Sequence, residues 1–221
     1  IECVPGDMVP ALPQLILPLG FDGIRRRAEE KLAGLDFNTI ENFSRRDFWR
    51  SVIICCEGFS ILCERHAREA QAQMSGAGPK RRADLERVAR VCAHLARNPP
   101  ETLHQALQMV YFVFVGLFIE GNAGGYSPGL LDQYLLPFYE KDRQRGLCDE
   151  EALEIIECLW VKMGEQIWYW NEPAARHYSG FCAFQRAKSS GSSLFELTSI
   201  RFPASSASSS CPSRAKPPGA V

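Results

Sequence analysis

The sequence predicts a mainly α-helical protein. Apolar residues recur at intervals of three and four from Phe21 onward, and proline or glycine clusters cut that pattern into six segments. The composition, 46% hydrophobic and 23% charged over 221 residues, is that of an ordinary soluble globular chain with enough apolar surface for one substantial core.

The elements follow in order. Residues 1–19 carry Pro5, Pro10, Pro13 and Pro18, which predicts an extended lead-in without regular helix. Ile24, Ala28, Leu32 and Leu35 then recur at helical spacing opposite Arg25, Arg26, Arg27, Glu29 and Glu30, so a helix is expected from about Asp22 to Leu35. The next opens at Ser44, an N-cap type. Its stripe is Phe48, Val52, Cys55, Cys56, Phe59, Leu62, Cys63, His66, Ala67 and Ala70, and the Gly76 to Pro79 breaker ends it. Leu85, Val88, Cys92 and Leu95 mark a shorter helix that stops at Asn98-Pro99-Pro100. His66 and His94 lie on or beside these stripes and read as packed or hydrogen-bonded residues, not ligands.

Thr102 can cap a fourth helix running through Leu103, Leu107 and Val110 into the apolar stretch Met109 to Ile119. That stretch is about half of the roughly 20 residues that span a bilayer, and it reads as a core element. GNAGGYSPG, from Gly121, packs four glycines and a proline into nine residues, which demands a turn. A helix from Gly129 to Arg145 follows. Asp149, Glu150 and Glu151 start the last, whose stripe is Ala152, Ile155, Ile156, Leu159, Trp160, Met163 and Ile167. No internal repeat is evident.

Residues 186–221 are a different material, holding eleven serines against six in the preceding 185 residues, and their apolar periodicity is lost. Either a linker or a change of reading frame after about Gln185 accounts for this. The frame change is favoured, because the break interrupts the structured run NEPAARHYSGFCAFQ. The expected organisation is a partial domain over 1–185 and a tail over 186–221.

Charge and cysteines exclude several function classes. A net charge of -1 and a pI near 6.5 offer no field to gather phosphates or an anionic bilayer, so nucleic acid and membrane are not expected partners. The chain begins at Ile1 with no signal-peptide pattern and reads as a piece cut from something longer. The nine cysteines show no pair at the spacing of zinc or iron-sulfur sites, so no metal is expected. They read as reduced, small core hydrophobes in a cytoplasmic protein.

Four stretches carry a family resemblance: PGDMVPALPQLILPLGFDGI near the start, NPPETLHQALQMVYFV at 98–113, IEGNAGGYSPGLLDQYLLPFYEKD at 119–142, and EEALEIIECLWVKMGE at 150–165. In this order and spacing the chain resembles the glycyl radical enzymes, the pyruvate formate-lyase-like family that includes glycerol dehydratase and choline trimethylamine-lyase. The resemblance covers about residues 1–185, part of the N-terminal half of such an enzyme. It implies that the helices are part of the shell around a ten-stranded α/β barrel.

The resemblance also implies a chemistry. In these radical lyases, dehydratases and formate C-acetyltransferases a separate iron-sulfur activating enzyme, using S-adenosylmethionine, takes a hydrogen atom from a backbone glycine near the C-terminus. A buried cysteine then passes the radical to a small polar substrate as a thiyl, in a site closed to water and oxygen. A glutamate two residues beyond that cysteine serves the dehydratases and amine lyases as acid or base. None of the nine cysteines here stands in the matching context, so this chain is expected to hold no catalytic residue, to bind no cofactor and to be inactive alone. Its parent's partners would be the substrate and the activating enzyme, and a homodimeric parent is compatible with the resemblance.

Two pieces of substrate wall are expected here. Asp7, in PGDMVP, occupies a place where related enzymes carry a polar residue that touches substrate; the alternative is a turn-capping aspartate after Gly6. Gly124, Gly125, Tyr126 and Ser127 match the loop in which glycerol dehydratase-like enzymes present a His-Ser pair, and glycines stand in that place here. The SPG spelling is closer to lyases acting on amine or sulfonate alcohols. Asp132 and Tyr134 read as structural. The competing reading is a helical binding or scaffold protein that kept these helices without catalysis.

Overall fold

The computed structural model describes residues 9–10, 13–36, 39–121 and 126–165. Six α-helices dominate them: α1 (Pro13–Ala33), α2 (Ile40–Gln73), α3 (Pro79–Leu95), α4 (Leu103–Gly121), α5 (Leu131–Gln144) and α6 (Asp149–Gly164). A 3-10 turn, Met74–Gly76, joins α2 to α3. Two short strands, β1 (Val9–Pro10) and β2 (Tyr126–Ser127), form a parallel pair. The tail expected over 186–221 lies outside the described residues.

The lead-in differs from its sequence expectation. Helix begins at Pro13, where a missing N–H costs nothing, well before Asp22. Pro18 cannot donate to the carbonyl of residue 14, and Gly20 takes φ 65° and ψ 175°, so α1 is two segments, 13–19 and 21–33, joined at a kink. Prolines therefore shorten and break the helix here without forbidding it. A Cβ at Gly20 would lie 2.9 Å from Pro99 Cα, which shows how closely the kink meets the turn before α4.

Ser44 is not the start of α2. The helix begins at Ile40, four residues earlier, and the Asn42 side chain donates to the Asp36 carbonyl oxygen at 2.7 Å, fastening the first turn to the chain before it. The stripe also needs correction: Phe48 and Cys55 are exposed, while Cys56, Cys63, Ala67 and Ala70 are buried. Thirty-four residues at 1.5 Å each make α2 about 50 Å long, so one straight neighbour cannot cover the whole stripe. α5 starts at Leu131, not Gly129, because Gly129 has φ 74° and belongs to the turn.

α4 is the centre of the core. Leu103, Ala106, Leu107, Met109, Val110, Phe112 and Val113 are buried among residues of all five other helices. By length and composition alone α4 could cross a membrane; its 19 residues exceed the 11-residue apolar run because the helix also takes in Leu103 to Gln108 before it and Glu120 and Gly121 after it. Its start is a capping box: the Gln105 backbone N–H donates to Thr102 Oγ1 at 3.2 Å, and Gln105 Oε1 accepts the Thr102 N–H at 3.3 Å as well as the Glu101 N–H at 2.7 Å. Both histidines weighed above have backbone partners, His66 Nδ1 with the Leu62 carbonyl and His94 Nε2 with the Pro99 carbonyl, each at 2.9 Å. His66 also meets the Phe112 ring edge-on, at 5.0 Å between centroids.

Candidate functional site

β1 and β2 bring together two segments that lie more than a hundred residues apart. Val9 is in register with Tyr126 and Pro10 with Ser127, so the last two residues of PGDMVP pair with the Tyr-Ser of GGYSPG. Parallel strands need a crossover, and here the crossover is α1 to α4.

Each strand is anchored by the helix that follows it. Behind β1, Leu17 and Phe21 of α1 are buried in the core, and Phe21 stacks on Phe59 of α2 with ring centroids 4.6 Å apart. Behind β2, the Tyr134 hydroxyl donates to the Pro128 carbonyl at 2.9 Å, holding the SPG turn against the first turn of α5. Asp132 stands in that same first turn, where a carboxylate favours the helix dipole. Tyr134 thus ties the turn to the scaffold.

Of the residues singled out in the sequence, Tyr126 and Ser127 form β2, paired with β1. Asp7, Gly124 and Gly125 lie outside the described residues; Asp7 precedes Val9 by two positions and Gly125 directly precedes β2. The register partners Val9 and Pro10 were not distinguished by the sequence. A two-residue strand has too few positions to show alternation, and its partner lies across four helices.

The buried thiols are not poised for chemistry. Burial raises the Cys63 thiol to about 12 and the Cys56 and Cys92 thiols to about 11, the opposite of what a thiolate nucleophile needs. Among the described residues no three His, Cys, Asp or Glu side chains converge as metal ligands would.

Comparison with known proteins identifies the family. The profile of the family described as pyruvate formate lyase-like matches residues 3–193. The chain belongs to the pyruvate formate lyase-like family. It is 37% identical over 164 residues to the isethionate sulfite-lyase of Oleidesulfovibrio alaskensis, covering 72% of this chain and 20% of that protein. It is 36% identical over 151 residues to the trans-4-hydroxy-L-proline dehydratase of Clostridioides difficile, covering 66% and 19%. The fold superposes on the glycerol-bound, B12-independent glycerol dehydratase of Clostridium butyricum with a TM-score of 0.73 and 28% identity, over 77% of this chain and 22% of that one. The members compared are radical lyases and dehydratases, and the chain spans about a fifth of the length of the curated relatives it matches.

Proposed function

We propose that this chain is the substrate-wall segment of a glycyl radical lyase or dehydratase. The observation that supports the reading is the β1–β2 pairing, Val9 with Tyr126 and Pro10 with Ser127, which joins the last two residues of PGDMVP to the Tyr-Ser of GGYSPG. A wall must hold polar groups at fixed separation around a small substrate, and strand register does that more rigidly than two free loops. In this reading β1 and β2 are the first contribution to the barrel, residues 1–185 are one partial domain, and the six helices are its outer shell.

The parent's substrate is a small hydroxylated molecule, broken by elimination next to a radical centre. Support comes from the relatives: proteins named as lyases or dehydratases of isethionate, hydroxyproline and sulfopropanediol align with this same segment. The thiyl cysteine, the acid-base glutamate and the radical glycine belong to the parent beyond this segment, and the radical is installed by a separate activating enzyme in the cytoplasm. The chain's own contribution is to orient the substrate and exclude water.

The test reads the DNA beyond the Gln185 codon in all frames. A continuation with a Cys-x-Glu loop and a later radical-glycine motif is expected. Protein extended through it and activated anaerobically should give a doublet signal by electron paramagnetic resonance, whereas the 221-residue chain gives none. Ser127→Ala in the extended enzyme should raise KM for the hydroxylated substrate several-fold and leave the radical yield unchanged. An unchanged KM would overturn the wall assignment, and a doublet from the 221-residue chain would overturn the division of labour.

A further inference from the structure

A concave region lies between the end of α3, the start of α4, the end of α5 and α6. Its cavity has a volume of about 440 Å³, and none of the β1 or β2 residues line it. What matters is which polar groups on its wall are already engaged. The acceptors are. Asp142 Oδ2 takes the Leu103 N–H at 2.7 Å, and its Oδ1 faces Arg145 at 3.7 Å. Gln105 Oε1 takes the Glu101 and Thr102 N–H groups at 2.7 and 3.3 Å, and Thr102 Oγ1 takes the Gln105 N–H.

The donors are left over. Gln105 Oε1 is fixed by two backbone N–H groups, so its Nε2 faces the other way with both hydrogens unengaged among the described residues. The Thr102 hydroxyl accepts but keeps its own hydrogen. Arg90 gives one nitrogen to Glu86 at 2.7 Å, and the Arg87 guanidinium has no partner among the described residues. His104, half-buried at the same wall, is held below its ordinary pKa by burial and then by the Arg87 charge, and its neutral ring presents one N–H and one acceptor nitrogen. Buried Val91 and half-buried Leu147 and Ile155 form an apolar floor beneath this donor set.

We infer that this cavity binds a small organic oxyanion, its anionic head on Arg87, Thr102 and Gln105 and its short apolar body against Val91, Leu147 and Ile155. A wall with unused donors and one uncompensated guanidinium selects an anion over a cation or a neutral polyol. The volume exceeds what an inorganic anion fills, and the apolar floor rewards a carbon chain.

The inference is tested on the full 221-residue chain by nuclear magnetic resonance, following the Thr102 amide and the His104 ring protons. Hexanoate, acetate and hexanol are titrated at ionic strength held constant with sodium chloride. Hexanoate should give saturable shifts at both residues, acetate weaker ones and hexanol none. Arg87→Gln, at an exposed position, should weaken hexanoate about tenfold, while Arg27→Gln on α1 leaves it unchanged. Shifts that do not saturate, an equal response to hexanol, or an Arg87→Gln chain that binds hexanoate unchanged would each overturn it.

Discussion

The Asp142 carboxylate, near the end of α5, accepts the backbone N–H of Leu103, the first residue of α4, at 2.7 Å. A side chain 39 residues downstream thus caps the helix at the centre of the core. Its own side chain is only 12% exposed, so losing it leaves a shielded amide without a partner. Asp142→Ala should lower stability by about 1–2 kcal/mol in urea unfolding, and Asp142→Asn, which keeps an acceptor oxygen, by less. Equal losses for the two substitutions would show that the acceptor is not what matters.

Two glycines should respond with opposite signs. Gly20 has φ 65° and faces Pro99 atoms at 2.9 Å, so Gly20→Ala meets both a left-handed backbone and a clash. A loss of about 2 kcal/mol or more is expected. Gly58 lies inside α2, exposed, with nothing within 4 Å of a built Cβ. Gly58→Ala should therefore gain up to about 1 kcal/mol. Thermal melts of both variants decide this, and a destabilised Gly58→Ala would mean that α2 is covered at that point.

Gly116 makes room for an aromatic stack. A Cβ there would enter the Phe59 ring, which is itself stacked on Phe21 with planes 4° apart. Gly116→Ala should cost about 1–3 kcal/mol, and adding Phe59→Leu should recover part of that loss. Strictly additive losses in a double-mutant cycle would refute the contact.

The cysteines should separate by burial in an alkylation time course. Cys55 is exposed, whereas Cys63, Cys92 and Cys56 are buried, with thiols raised to about 12, 11 and 11. Iodoacetamide at about pH 8 should modify Cys55 first and these three only on unfolding, as read by peptide mass spectrometry. The sign of the pH effect follows. Between the ordinary thiol value of 9.0 and the raised values the folded state holds more protons than the unfolded one, so stability should fall as pH rises through that window. A flat stability profile from pH 8 to about 10.5 would contradict the burial of these thiols.

Local chemistry made much of this protein legible from its sequence alone. Thr102 before an apolar run, the acidic triplet at Asp149, and the breakers at Pro79 and Asn98-Pro99-Pro100 each act within one turn of chain, and the helices begin or end there. The motifs at Asp7 and at Gly125 to Ser127 were visible as family spellings. Local reading failed where a distant residue decides. Helix α1 tolerates Pro18 because Gly20 bends the chain onto Pro99, and α2 begins at Ile40 because Asn42 reaches back to Asp36. Phe48 carries the helical spacing of a core residue yet stays 58% exposed, since period says which residues share a face and not whether anything covers it. The pairing of Val9 with Tyr126 belongs wholly to the tertiary structure. Two residues of strand hold no periodic signal, and their register is imposed by the packing of the four helices that lie between them in the chain.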